Sequence, residues 1–109
     1  MKGSNLGELE ELMLLVIANL DQDAYGVKIR DYIRDNCGRS VSISTVHSTI
    51  HRLEHKGFLR SKYDHQDNSM RGGRPKLIFD ITNSGRIAME QVRTLRNSLW
   101  NTIPNLSFD

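Results

Sequence analysis

The sequence predicts a mainly α-helical chain carrying one small β-hairpin, and three observations support that expectation. Apolar residues recur at helical spacing in four separate stretches. Two short stretches of β-branched and aromatic character flank a connection containing Gly72-Gly73, and capping residues, glycine and proline fall at the joints. At 109 residues, 38% hydrophobic and 26% charged, the chain has room for one core and little else.

The first helix is expected over Leu6 to Leu20, where positions 6, 9, 12, 13, 16, 17 and 20 are apolar. Glu8, Glu10 and Glu11 fall in its first turns, where the helix dipole favours anions. A second helix is expected from Ala24 to Asn36, with Asp23 as N-cap, a stripe of Tyr25, Ile29, Tyr32 and Ile33, and Gly38 just past its end. The third takes Ser44 as N-cap, buries Val46, Ile50 and Leu53, and stops at Lys56-Gly57. Residues 58–64 and 76–81 read as strands of a hairpin whose tip, 65–75, is basic. The last helix starts at the Thr82 N-cap and runs to about Trp100, with Ala88, Val92, Leu95 and Leu99 in a coiled-coil-like seam. Three helices already close a small core, so this extra apolar stripe calls for a second copy of the chain.

Composition excludes several classes. The one cysteine, Cys37, has no second thiol with which to form a disulfide or share a zinc ion, and it is expected to pack at a helix end in a reducing cytoplasm. The longest apolar run, residues 12–18, falls far short of the roughly 20 residues a bilayer core needs. The start of the chain has neither the basic opening nor the cleavage site of a signal peptide. No membrane partner is expected. The net charge of +2 is slight, but residues 44–81 hold seven basic against four acidic groups and all 4 histidines. If any part of the chain faces a polyanion, it is this one.

The order helix, helix, helix, hairpin is the winged helix-turn-helix plan, in which the third helix enters the major groove and the hairpin follows the adjacent backbone. On the third helix, Ser44, Thr45, His47, Ser48, His51, Arg52 and His55 point away from the Val46, Ile50, Leu53 face. Hydroxyls and helix-start N–H groups can hold a phosphate, while Arg52 and the imidazoles can donate to phosphates or purine acceptors. In the hairpin, Arg71, Arg74 and Lys76 flank two glycines, which lets the backbone turn sharply while cations project. The expected division is a DNA-binding unit over 1–81 and a dimerisation helix and tail over 82–109. Trp100 joins the dimer seam as an aromatic anchor.

The combination of these segments resembles the PadR-like transcriptional regulators from Leu6 to Trp100. LMLLVIANLDQDAYGVKIRDYI looks like their first two helices with the Tyr25-Gly26 turn, and STVHSTIHRLEHKGFL resembles their recognition helix. GGRPKLIFDITNSGR looks like their wing and the start of the last helix. The resemblance implies a homodimeric repressor on a pseudo-palindromic operator. It places Tyr25, Ser44, Thr45, Arg74 and Lys76 at the DNA, and the last helix, helped by the first, at the dimer contact. Where the family commonly has tyrosine then proline after the Thr-Val or Thr-Leu pair, this chain has His47 and Ser48, and His51 replaces a basic residue.

Other readings of the same residues differ in what they require. His47, His51 and His55 lie one turn apart, a spacing at which two imidazoles can share Zn, Ni or Cu, so a metal-responsive regulator is one alternative. The row has no HExxH glutamate and no placed third ligand, so no metal or other cofactor is expected. Ser44 or Ser48 with a histidine and an aspartate lacks a nucleophile elbow and an oxyanion loop, so the chain is not expected to be an enzyme. A winged helix can also dock an acidic protein instead of DNA. Trp100 can alternatively wall a small-molecule effector at the dimer contact, as in some members of the family the chain resembles, and no residue identifies which compound that is.

Overall fold

The computed structural model describes residues 6–64 and 75–105, and the expected elements are all among them. Helix α1 spans Glu8–Leu20 and is followed by a single 3-10 turn at Asp21–Asp23. Helices α2 (Gly26–Cys37) and α3 (Ile43–His55) come next, then strands β1 (Leu59–Asp64) and β2 (Lys76–Ile81), and finally α4 (Asn83–Asn101). This is the winged helix-turn-helix arrangement with an added C-terminal helix. The hairpin tip 65–74, with Arg71 and Arg74, lies outside the described residues.

Two caps differ from the sequence expectation. Tyr25, in extended conformation, is the N-cap of α2 in place of Asp23, because Asp23 is absorbed into the 3-10 turn. Ser42 caps α3 in place of Ser44, its Oγ accepting the Thr45 N–H at 3.1 Å. The earlier start puts Ser44 in the first turn. Gly38 (φ 62°) and Gly57 (φ 81°) end α2 and α3 in the left-handed conformation that glycine adopts without strain. At Gly57 the helix closes as a Schellman motif: Phe58 N–H donates to the Leu53 carbonyl and Gly57 N–H to the Glu54 carbonyl, both at 2.9 Å. Cys37, expected to pack, is exposed at the end of α2.

The core gathers Met13, Leu14 and Ile17 of α1, Ile29 and Ile33 of α2, and Val46, Ile50 and Leu53 of α3, closed by Phe58, Leu59, Phe79 and Ala88. The strands pair antiparallel with Leu59 opposite Ile81, Ser61 opposite Phe79 and Tyr63 opposite Leu77. On its other edge β2 bridges to the start of α2: Tyr25 pairs with Ile78, and Phe79 N–H donates to the Ala24 carbonyl at 2.9 Å. The wing's root is thus hydrogen-bonded on both sides.

Helix α4 begins against the turn that ends α3. Thr82 N–H donates to the Phe58 carbonyl at 3.1 Å, and Thr82 Oγ1 accepts the Gly85 N–H at 3.0 Å while donating to the Gly57 carbonyl at 2.6 Å. A Cβ on Gly85 would fall on the Phe58 carbonyl oxygen and within 3.0 Å of Ile81 Cγ2. Glycine is required here for space, because the first turn of α4 rests directly on backbone. Beyond Val92 every residue of α4 is exposed, and Arg96 reaches back to Glu11 of α1 at 2.9 Å. Gly85→Ala is therefore expected to destabilise the fold by about 2–3 kcal/mol, read as a lowered urea midpoint, since neither the carbonyl nor the strand can yield cheaply.

Candidate nucleic-acid interface

The sequence-predicted face of α3 is assembled as expected in position. Ser44, His47, Ser48, His51, Arg52 and His55 are exposed and Thr45 is half-buried, while Val46, Thr49, Ile50 and Leu53 are turned inward. Ser42 Oγ lies 3.1 Å from Ser44 Oγ and 3.0 Å from Thr45 Oγ1, so three hydroxyls cluster at the helix start. Ser48 Oγ and Thr49 Oγ1 both donate to the Thr45 carbonyl, at 3.1 and 2.8 Å, and are held against their own helix. Among the described residues no group of three or more His, Cys, Asp or Glu side chains is placed to hold a metal ion.

The Tyr25-Gly26 pair gains a physical reason. A Cβ on Gly26 would stand 3.0 Å from His47 Cε1 and 3.2 Å from its Nε2, so the missing side chain on α2 leaves room for the His47 ring. Tyr25 meets the wing: Lys76 Nζ sits 4.6 Å from the centroid of its ring, a cation–π contact that fixes the lysine stem at the root of the hairpin. Start of α2, outward face of α3 and wing root therefore adjoin.

Glu10 and Lys56 belong to this site and were missed in the sequence reading. Glu10 is 5% exposed. Its Oε1 accepts the Gly7 N–H at 2.8 Å and the Lys56 ammonium at 2.7 Å, and its Oε2 accepts Arg52 Nε at 3.3 Å. Arg52 Nη2 also donates to Thr49 Oγ1 at 3.3 Å. The signal was present, since Glu10 falls on the inward stripe with Met13, Leu14 and Ile17 at i, i+3, i+4 and i+7. Burial by itself would push the Glu10 carboxyl up. Lys56, the Gly7 N–H and Arg52 outweigh burial and hold it below its ordinary 4.5.

On α4, Ala88 is taken into the protomer's own core and Val92 is half-buried, whereas Leu95, Leu99 and Trp100 are exposed at 51%, 60% and 60%. A groove between α1 and α4 is lined by Leu15, Met89 and Trp100 and is crossed by an ion pair from Arg96 to Glu11 at 2.9 Å. So much apolar surface on a projecting arm is unusual for a chain that works alone.

Residues 13–91 match the family described as "Transcriptional regulator PadR-like family". The chain belongs to that family. A PadR family transcriptional regulator from Eggerthella lenta is 26% identical with a TM-score of 0.65, covering 86% of this chain and 80% of that one. Another PadR family transcription regulator, from Clostridium difficile, is 25% identical with a TM-score of 0.61, over 83% of this chain and 91% of that one. A transcriptional regulator from Clostridium thermocellum, 20% identical with a TM-score of 0.64 over 89% and 90%, shares the fold. No sequence among curated proteins matches. Membership places this PadR-like chain among DNA-binding regulators of transcription, and these family relatives are regulators, not enzymes. Among the described residues no helix is long and apolar enough to cross a membrane.

Because the Glu10 carboxyl is held low in the folded state, its contribution to stability is complete above the unfolded value near 4.5 and is lost as pH falls through the lower folded value. Glu10→Gln removes that component. Urea midpoints measured from pH 7 down to pH 3 are expected to fall more steeply in the parent than in the variant. At pH 7 the substitution is expected to cost about 1–2 kcal/mol, because both cations keep enough exposure to be resolvated.

Proposed function

We propose that this PadR-like chain is a homodimeric, sequence-specific repressor that binds a pseudo-palindromic operator in the cytoplasm. The observation that supports this best is the uninterrupted polar face of α3, set beside a wing root that carries a clamped cation. Ser44 and Thr45 hold the phosphate at the start of the helix. His47, Ser48, His51 and Arg52 face base edges, and Tyr25, Lys76, Arg71 and Arg74 follow the backbone. The DNA-binding unit spans 1–81, and the helix and tail from 82 supply assembly.

Dimerisation rests on the exposed apolar arm. Val92, Leu95 and Leu99 continue one stripe beyond Ala88, which belongs to the protomer's own core, and Trp100 stands beside that stripe at the groove shared with α1. A two-fold dimer through this stripe presents two α3 helices, and that symmetry requires half-sites about one helical turn, or a multiple of it, apart.

Selection of duplexes from a random-sequence pool tests the reading directly. The expected product is a two-fold motif bound on the order of a thousandfold more tightly than random duplex, and equal affinity for both would refute it. His51→Ala is expected to relax the preference at one position of each half-site, visible as a flattened column in a repeated selection. Leu95→Asp, which puts a charge in the seam, is expected to sediment as a monomer and to bind the selected duplex at least tenfold more weakly. An intact dimer would count against the stripe as the assembly surface.

A further inference from the structure

Residues 42–56, which make up the recognition helix with its two caps, contain one arginine and one lysine, and both end on the same buried carboxylate. Lys56 Nζ lies 2.7 Å from Glu10 Oε1, and Arg52 Nε lies 3.3 Å from Oε2. Glu10 is not a surface partner that solvent or salt could easily displace. Its side chain is 7% exposed, it is pinned by the Gly7 N–H at 2.8 Å, and Lys56, that N–H and Arg52 hold its carboxyl below the usual carboxylate value. A single carboxylate of α1 thereby holds both fixed cations of α3 and cancels one of their two charges before any DNA arrives.

That arrangement bears on discrimination. A cation free to reach phosphates binds every duplex alike, and each such contact adds roughly 0.9 to the log–log salt slope while carrying no sequence information. A cation held by a buried carboxylate contributes little until other, matched contacts bring the duplex close enough to compete for it. Of the two, Arg52 is the one placed to make that exchange. It is on the longer contact, its side chain is 55% exposed, and it shares the outward face with His47, Ser48, His51 and His55. Lys56, 33% exposed on the shorter contact, stays with Glu10.

We infer that Glu10 is a specificity-determining residue of the DNA interface: it withholds Arg52 and Lys56 from unspecific phosphate contact, so that affinity depends on the hydroxyl and imidazole contacts of α3. This rests on the proposed DNA-reading role of that helix, and it assigns a function to a side chain that need not touch DNA. A merely structural Glu10 predicts the opposite sign, since loosening α1 from α3 would weaken binding to every duplex.

The test uses the full chain and two probes, the duplex recovered by selection and a random duplex of the same length. Glu10→Gln is expected to tighten random-duplex binding at least threefold at about 0.1 M salt and to steepen its salt slope by roughly one unit per released cation, narrowing the gap between the two probes. Parallel weakening on both probes, or an unchanged random-duplex slope, overturns the inference. Lys56→Gln provides a second reading in a protein whose buried carboxylate is intact. If Glu10 holds this lysine, the random-duplex slope moves by well under the roughly 0.9 that one phosphate contact carries; a full-sized drop shows Lys56 on the DNA and overturns the inference. Should selection return no motif, the operator-binding proposal falls while the random-duplex comparison still decides the role of Glu10.

Discussion

A close approach of backbone to backbone, between the first turn of α4 and the turn that ends α3, sets the geometry on which the rest of the molecule depends. Thr82 and Gly85 seat α4 on the carbonyls of Gly57 and Phe58, and the space Gly85 leaves is filled by main chain. Main chain cannot adjust as a side-chain tip can, so the direction of the arm is referred to the end of the recognition helix with little slack. In a two-fold assembly that direction decides how far apart the two reading helices stand. If the chain pairs two-fold as proposed, a small motif at a helix start bears on the spacing of half-sites that it never touches.

The wing is fixed by a different kind of contact. Strand β2 is hydrogen-bonded to β1 on one edge and to Ala24 and Tyr25 on the other, and Lys76 lies over the Tyr25 ring. The segment between α1 and α2 therefore serves as a third edge to the hairpin, so that wing and helices share one frame. A two-stranded hairpin standing alone would be marginal in water.

Most of the fold was legible because periodicity reports burial. The inward faces of α2 and α3, the Gly38 and Gly57 stops and the Thr82 cap all follow from local pattern. What the pattern could not supply were contacts between segments far apart in the chain. Asp23 is a good capping residue in the abstract, but the 3-10 turn removes it from the helix, and Ser42 competes successfully with Ser44 two positions earlier. Glu10 looked like an ordinary first-turn acid because its partners, Arg52 and Lys56, come from 42 and 46 residues away. Ala88 reads as part of the arm's seam, but its place on the last helix is still within reach of the core.

Neighbouring acids on α1 grip different helices: Glu10 holds the end of α3, and Glu11 holds Arg96 on α4. Successive residues on a helix point about 100° apart, so one turn of α1 is grasped from two sides. The helix proposed to read DNA and the helix proposed to assemble the dimer are thus both tied to one turn of α1. α1, which carries none of the proposed reading residues, thereby adds a second tie between α3 and α4, beside the direct seat of Thr82 on the turn that ends α3.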